Sequence, residues 1–230
     1  MKLFCLPYAG GASTIYYKWK KNIDPRIEIR AIELKGRGSR YGENLYNDLS
    51  EAVEDIYKII KEEITNDDYG IFGHSMGSIL SFELYHKIIG EGMPRPKWMF
   101  FSGHRAPDFI KENKIYKLPD KQFVNKVVEF GGTPNEVVEN KELMDLVLPI
   151  LKSDFRMLEE YICAKKERLI ECNVAVLFGK QDKITLDELK GWGKFVNKEI
   201  NFYPFEGDHF FINHEYEKII GIIEEKLLRK

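Results

Sequence analysis

Residues 71–77 read Ile-Phe-Gly-His-Ser-Met-Gly, "IFGHSMG". The stretch opens as the end of a short apolar run and closes at the start of a helix-like pattern, with Ser75 two places from a glycine on either side. A serine hydroxyl is a weak nucleophile at neutral pH; it needs a base within reach and donors for the oxyanion that forms. A Gly-x-Ser-x-Gly turn meets the steric half of that need. It holds the serine on a sharp strand-to-helix bend, and the flanking glycines avoid clashes that a Cβ would cause. The apolar run at 69–72 predicts a strand. Ile79, Leu80, Phe82, Leu84, Ile88 and Ile89 predict a helix over 76–89, closed by Gly90. Ser75 is therefore the candidate nucleophile, and Met76 N–H, at the helix N-terminus, a candidate oxyanion donor.

Outward from this turn the same alternation repeats. Short apolar runs at 3–6, 27–32, 98–101, 174–178 and 200–205 are separated by longer helical patterns, which predicts an α/β fold with a mostly parallel central sheet flanked by helices. Leu49, Val53, Ile56 and Ile60 recur at helical spacing behind Asp48 and Glu51, a capping-box pattern. A last helix is predicted over 214–228. The connection from Gly103 to Asn173 is out of proportion, since a whole βαβ unit needs only ~30 residues. It carries helical patterns at 123–130 and 143–162. We read it as a helical lid, approximately 107–165, inserted into a single domain spanning 1–230; an ordinary pair of packing helices is the plainer alternative.

Five histidines compete as the base for Ser75: His74, His86, His104, His209 and His214. His74 neighbours the nucleophile and should point away from it. His86 falls inside the helix after the turn, and His214 in the last helix. His104 follows a strand and stays in contention. His209, in "FEGDHFF", lies between the last strand and the last helix, where strand-end loops gather at the crevice of an open α/β sheet. It also completes the chain order Ser, acid, His. The acid should hold the other imidazole nitrogen. Asp182, in "LFGKQDKIT", follows a strand by a short loop and is preferred over Asp208, whose side chain should diverge from that of its neighbour, and over Asp187, read as a helix cap. A second oxyanion donor is expected from a loop after an early strand; "LPYAGGAS" follows the first one and offers Ala9 N–H beside Gly10 and Gly11.

Composition narrows the classes. The 35 basic and 37 acidic residues among 230 leave no basic excess of the kind a nucleic-acid binder carries. Cys5, Cys163 and Cys172 are too few and scattered for a disulfide framework or a zinc site, so reduced thiols and no metal are expected. The apolar start stops at Pro7, which argues against a signal peptide, and no run approaches the ~20 apolar residues of a membrane span. A cytoplasmic protein, monomeric and without a cofactor of its own, is expected.

Several segments together resemble the type II thioesterases of nonribosomal peptide and polyketide assembly lines. They are "LPYAGG" at 6–11 with Trp19, "ELKGRGSR" at 33–40, "GHSMG" at 73–77, "SGHRAP" at 102–107, "GGTP" at 131–134, "LPILKSDF" at 148–155, "FGKQD" at 178–182 and "GDHFF" at 207–211. The resemblance implies an α/β-hydrolase fold with a helical lid that hydrolyses wrong or stalled acyl groups from the phosphopantetheine arm of acyl or peptidyl carrier proteins. It implies Ser75 as nucleophile, His209 as base, Asp182 as orienting acid, and Ala9 and Met76 as oxyanion donors. Lys152-Ser153, where the family pattern has Arg-Ala, and Asp208, where it has Gly, are departures. A small-molecule carboxylesterase or an acyltransferase on the same residues, and a non-catalytic receptor on the same fold, are the alternatives.

Overall fold

Six strands, all parallel, form one sheet among the described residues: β1 (Lys2–Leu6), β2 (Glu28–Ala31), β3 (Tyr69–His74), β4 (Trp98–Ser102), β5 (Asn173–Gly179) and β6 (Ile200–Phe205). Their order across the sheet is β2-β1-β3-β4-β5-β6. The computed structural model describes residues 1–65, 68–109, 114–132 and 139–229. Successive side chains point to opposite faces of the sheet. Phe4, Ile71, Met99, Phe101 and Val176 belong to one apolar cluster, and Leu3, Phe72, Phe100, Ala175 and Leu177 to another. Helices cover both faces, so the strands read as continuous apolar runs rather than as alternation.

The helices are α1 (Tyr17–Asn22), α2 (Leu49–Ile60), α3 (Met76–Gly90), α4 (Asp120–Val128), α5 (Lys141–Glu160), α6 (Leu186–Lys190) and α7 (Tyr216–Leu228). Val53, Ile56, Leu80 and Leu84 place α2 and α3 on the first face. Trp19, Ile219 and Ile223 place α1 and α7 on the second. The connections leaving β1 and β3 therefore run to opposite faces, and their loops part at the C-terminal ends of the two strands. Such a switch point is where open α/β sheets bind ligands. Ser75 follows β3, and residues 7–12 follow β1.

Between β4 and β5, α4 and α5 make a third apolar cluster of their own. Phe123, Val127, Leu151 and Phe155 form it, with Ala9 packed at its edge. Lys152 fastens this pair of helices together: its ammonium donates to Leu118 O (3.3 Å) and is ion-paired with Asp120. Ser153 donates to Tyr46 O (3.3 Å), tying α5 to the segment before α2. These are the structural roles of the Lys152-Ser153 departure. Of the lysines that the sequence clusters in or near the expected lid, Lys111, Lys114, Lys117, Lys121 and Lys126, the first lies outside the described residues, as do Thr133 and Pro134 of "GGTP".

Three expectations at helix ends are corrected. Asp48 accepts the Glu51 N–H (2.8 Å), but the Glu51 carboxylate turns to Asn47 N–H (2.9 Å) and Lys35 (3.1 Å), so the box is half made. The reciprocal box forms instead at α6, between Thr185 and Glu188, and Asp187 is not the cap. The last helix starts at Tyr216, later than position 214, because Phe211–Asn213 closes into a 3-10 turn. No helix among the described residues is long and apolar enough to cross a membrane.

Candidate active site

The turn at Ser75 is held in a conformation that an L-residue rarely takes. Ser75 has φ 53° and ψ −114° and is the only non-glycine with positive φ among the described residues. Ser75 N–H donates to Ser102 O (2.7 Å), pinning the bend to the end of β4. The buried Ser78 hydroxyl lies 2.8 Å from Gly73 O and accepts from Ser102 N–H at 3.0 Å. Both flanking glycines are sterically required. A Cβ on Gly73 would sit 2.0 Å from Gly77 O, and one on Gly77 would sit 2.3 Å from Leu6 O. The obstacle is backbone in each case, so no side-chain rotation relieves it.

His209 and Asp182 reach Ser75 from neighbouring strand ends. The loops after β5 and β6 are laced together by Lys180 N–H to Phe205 O (2.9 Å) and Gln181 N–H to Gly207 O (3.0 Å). Gly179 allows this, since a Cβ there would meet Asp208 O at 2.3 Å. The imidazole Nε2 of His209 lies 2.9 Å from Ser75 Oγ, and its Nδ1 lies 2.8 Å from Asp182 Oδ2. The carboxylate is an acceptor only, so Nδ1 carries the proton and Nε2 is left free to accept the hydroxyl of Ser75. The Asp182 side chain is 7% exposed and that of His209 19%, which leaves the line reachable from one side.

Met76 N–H opens the 15-residue helix α3, and Ala9 belongs to the loop after β1 and lines the same cavity as Ser75. The cavity measures about 690 Å³. Ser75, Asp182 and His209 line it, together with Val127, Leu151 and Phe155 of α4 and α5. An apolar chamber beside a serine hydroxyl hydrogen-bonded to an imidazole, at the N-terminus of a helix, suits an acyl chain joined to an activated carbonyl. Among the described residues no group of His, Cys, Asp and Glu is arranged to hold a metal.

Residues 1–227 match the family described as the thioesterase domain. The chain belongs to that thioesterase family. It is 34% identical to the linear gramicidin dehydrogenase LgrE of Brevibacillus parabrevis, over 98% of this chain and 87% of that protein. Among solved structures it is similar to ClbQ from the colibactin NRPS/PKS pathway, with a TM-score of 0.94 and 38% identity over 98% of this chain and 95% of that one. It is also similar to the type II thioesterase BorB from the borrelidin biosynthetic cluster, with a TM-score of 0.88 and 28% identity over 98% and 92%.

Three of the other histidines of this thioesterase are placed away from the role of base, and His214 precedes the last helix. His104 also lines the cavity, but its Nδ1 lies 2.8 Å from Arg105 O. His86 packs on Phe82 and Tyr85 within α3. Asp208 accepts Phe210 N–H (2.9 Å) and makes no hydrogen bond to His209. His74 is fully buried beneath the turn, its Nδ1 2.8 Å from the Ser102 hydroxyl and its ring 5.4 Å from that of His209. Burial, and then the proximity of His209, holds it well below the usual imidazole range, so it packs under the base as a neutral ring. Sequence reasoning missed a further pair in the same thioesterase. Arg37 and Asp154, both buried, form a two-pronged ion pair (2.6 and 2.8 Å) against the loop after β1. They lie inside "ELKGRGSR" and "LPILKSDF", where only the family pattern marked them.

Proposed function

We propose that the chain is an editing thioesterase that releases acyl groups from the phosphopantetheine arm of carrier proteins in nonribosomal peptide or polyketide synthesis. The observation that carries the reading is the hydrogen-bonded line from Ser75 through His209 to Asp182, opening on an apolar chamber. Ser75 Oγ attacks the thioester carbonyl carbon as its proton passes to His209 Nε2. Asp182 stabilises the imidazolium through the Nδ1 hydrogen bond. Ala9 and Met76 N–H groups take the oxyanion. The C–S bond then breaks, and the proton on Nε2 goes to the departing pantetheine sulfur. Water, deprotonated by the same nitrogen, attacks the acyl-serine; the C–O bond breaks, Ser75 recovers its proton and the free acid leaves. The arm belongs to the carrier, so the enzyme needs no cofactor of its own for these steps.

Family membership and the resemblance to a type II thioesterase support this substrate class. The Brevibacillus relative is named a dehydrogenase, which calls for a hydride acceptor; nucleophile, base and oxyanion donors are the groups that acyl transfer uses. Turnover of acyl-carrier protein, followed by intact mass, tests the reading. Ser75→Ala should leave a folded protein that releases no acyl group. Retained release, or a wild-type enzyme that cleaves a soluble ester no worse than the acyl-carrier protein, would refute it.

A further inference from the structure

We propose that Arg37 and Asp154 are a positioning pair, holding the loop after β1 so that Ala9 N–H faces Ser75 and making that register depend on the seat of α5. The inference rests on the acyl-transfer reading above and concerns residues that do not touch the reacting atoms.

The pair grips the loop on two sides. Gly10 N–H donates to Asp154 Oδ2 (2.8 Å), and Arg37 Nη1 donates to Gly11 O (3.2 Å). Gly11 N–H returns to Tyr8 O (2.9 Å). That carbonyl shares a rigid peptide plane with Ala9 N–H, so an oxygen held on one side directs the N–H on the other. Two peptide planes, Ala9–Gly10 and Gly11–Ala12, are thus held by hydrogen bonds that end on Asp154 and Arg37, and the Gly11 N–H to Tyr8 O bond passes the constraint to the plane that carries Ala9 N–H. Remove the pair, and the donor direction is set by the Tyr8–Gly11 turn alone.

A second contact joins the same helix to the same glycine. Gly10 has φ +77°, and a Cβ there would lie 2.4 Å from Leu151 Cδ2. Leu151 stands one turn before Asp154 on α5 and also lines the acyl chamber, as do Phe155 and Leu158. An acyl chain that shifts α5 therefore shifts the acceptor of Gly10 N–H. Stability alone gives little reason for such a pair. Two buried charges carry a desolvation penalty that apolar residues of similar volume would avoid, often with no loss of stability.

The test uses the full-length enzyme, a soluble acyl thioester and a trifluoromethyl ketone of the same acyl chain. The ketone forms a tetrahedral oxyanion adduct on the serine. The double variant Arg37→Met with Asp154→Leu removes both charges and both loop contacts. We expect it to fold, to lose about 10²-fold in kcat, and to bind the ketone about 10²-fold more weakly, with KM within about twofold of wild type. Asp154→Asn, which keeps an oxygen for Gly10 N–H but discards the charge, should show a smaller loss of the same kind. Wild-type kcat and ketone binding in either folded variant would overturn the proposal. So would failure of both to fold, which would make the pair structural. Fluorophosphonate labelling of Ser75 in the wild type is measured beside them; if that fails, the acyl-transfer reading itself falls.

Discussion

At the scale of single residues, the conformation of Ser75 is bought with glycines. The positive φ persists because Gly73 and Gly77 let three stretches of backbone approach within distances that no Cβ tolerates. Gly77→Ala would press a methyl into Leu6 O and Pro7 O. The expected loss is about 1–3 kcal/mol of stability, with the serine displaced as well; a urea midpoint and a fluorophosphonate labelling rate both at wild-type level would contradict it. Asp182 acts through a different cause. Its bond to Nδ1 selects the tautomer that leaves Nε2 free. Asp182→Asn presents an amide that can favour the other tautomer, so kcat should fall about 10³–10⁴-fold while stability changes little. Single-turnover acylation rates would check this; a loss below tenfold would remove Asp182 from the mechanism.

Among the elements, α3 shows how a helix can be read correctly in outline and still hold a titrating surprise. Its position and apolar face follow from the run after Gly77, but His86 within it is half-buried rather than solvated. The ring packs 4.7 Å from Phe82, and its Nε2 has no hydrogen-bond partner among the described residues. Burial, followed by the neighbouring Lys166 charge, lowers His86 to about 4. The unfolded chain therefore binds more protons than the folded one between the ordinary imidazole value, ~6.5, and about 4. Stability is present in full above that window and declines as pH falls through it. His74 acts in the same sense, because its neutral form is also favoured by burial. His86→Phe should accordingly lose less stability than wild type between pH 7.5 and pH 5, read as the shift in urea midpoint. Equal shifts would show that His86 is solvated. Helix ends were less legible than helix bodies for a related reason. Glu51 had a competing partner in Lys35, 16 positions away, and no local pattern announces a partner at that distance.

For the molecule as a whole, the sheet was legible because both its faces are buried, so each strand is a short apolar run. Ser75, Asp182 and His209 were legible as candidates because each lies in the segment that follows a strand, and a parallel sheet collects those segments at one edge. Arg37 and Asp154 were not, because 117 positions separate them and neither breaks a periodic pattern. Where a carrier protein would dock is still harder to read, since that is a matter of net field rather than of pattern. Lys114, Lys117 and Lys121 are exposed on and beside α4. Lys126 is engaged by Glu129 at 2.9 Å and Lys152 by Asp120, so those two contribute less to any outward field. Carrier proteins that are acidic would be steered by Lys114, Lys117 and Lys121 toward the α4 side of the chamber. Reversing all three, Lys114→Glu, Lys117→Glu and Lys121→Glu, should raise KM for an acyl-carrier protein about tenfold at low salt. KM for a soluble thioester should stay where it is, because that substrate meets only the chamber. The difference between the variants should shrink as ionic strength rises toward 0.1 M, where the screening length is about 10 Å. A KM for the acyl-carrier protein that is unmoved by the reversal would place the docking face elsewhere on the molecule.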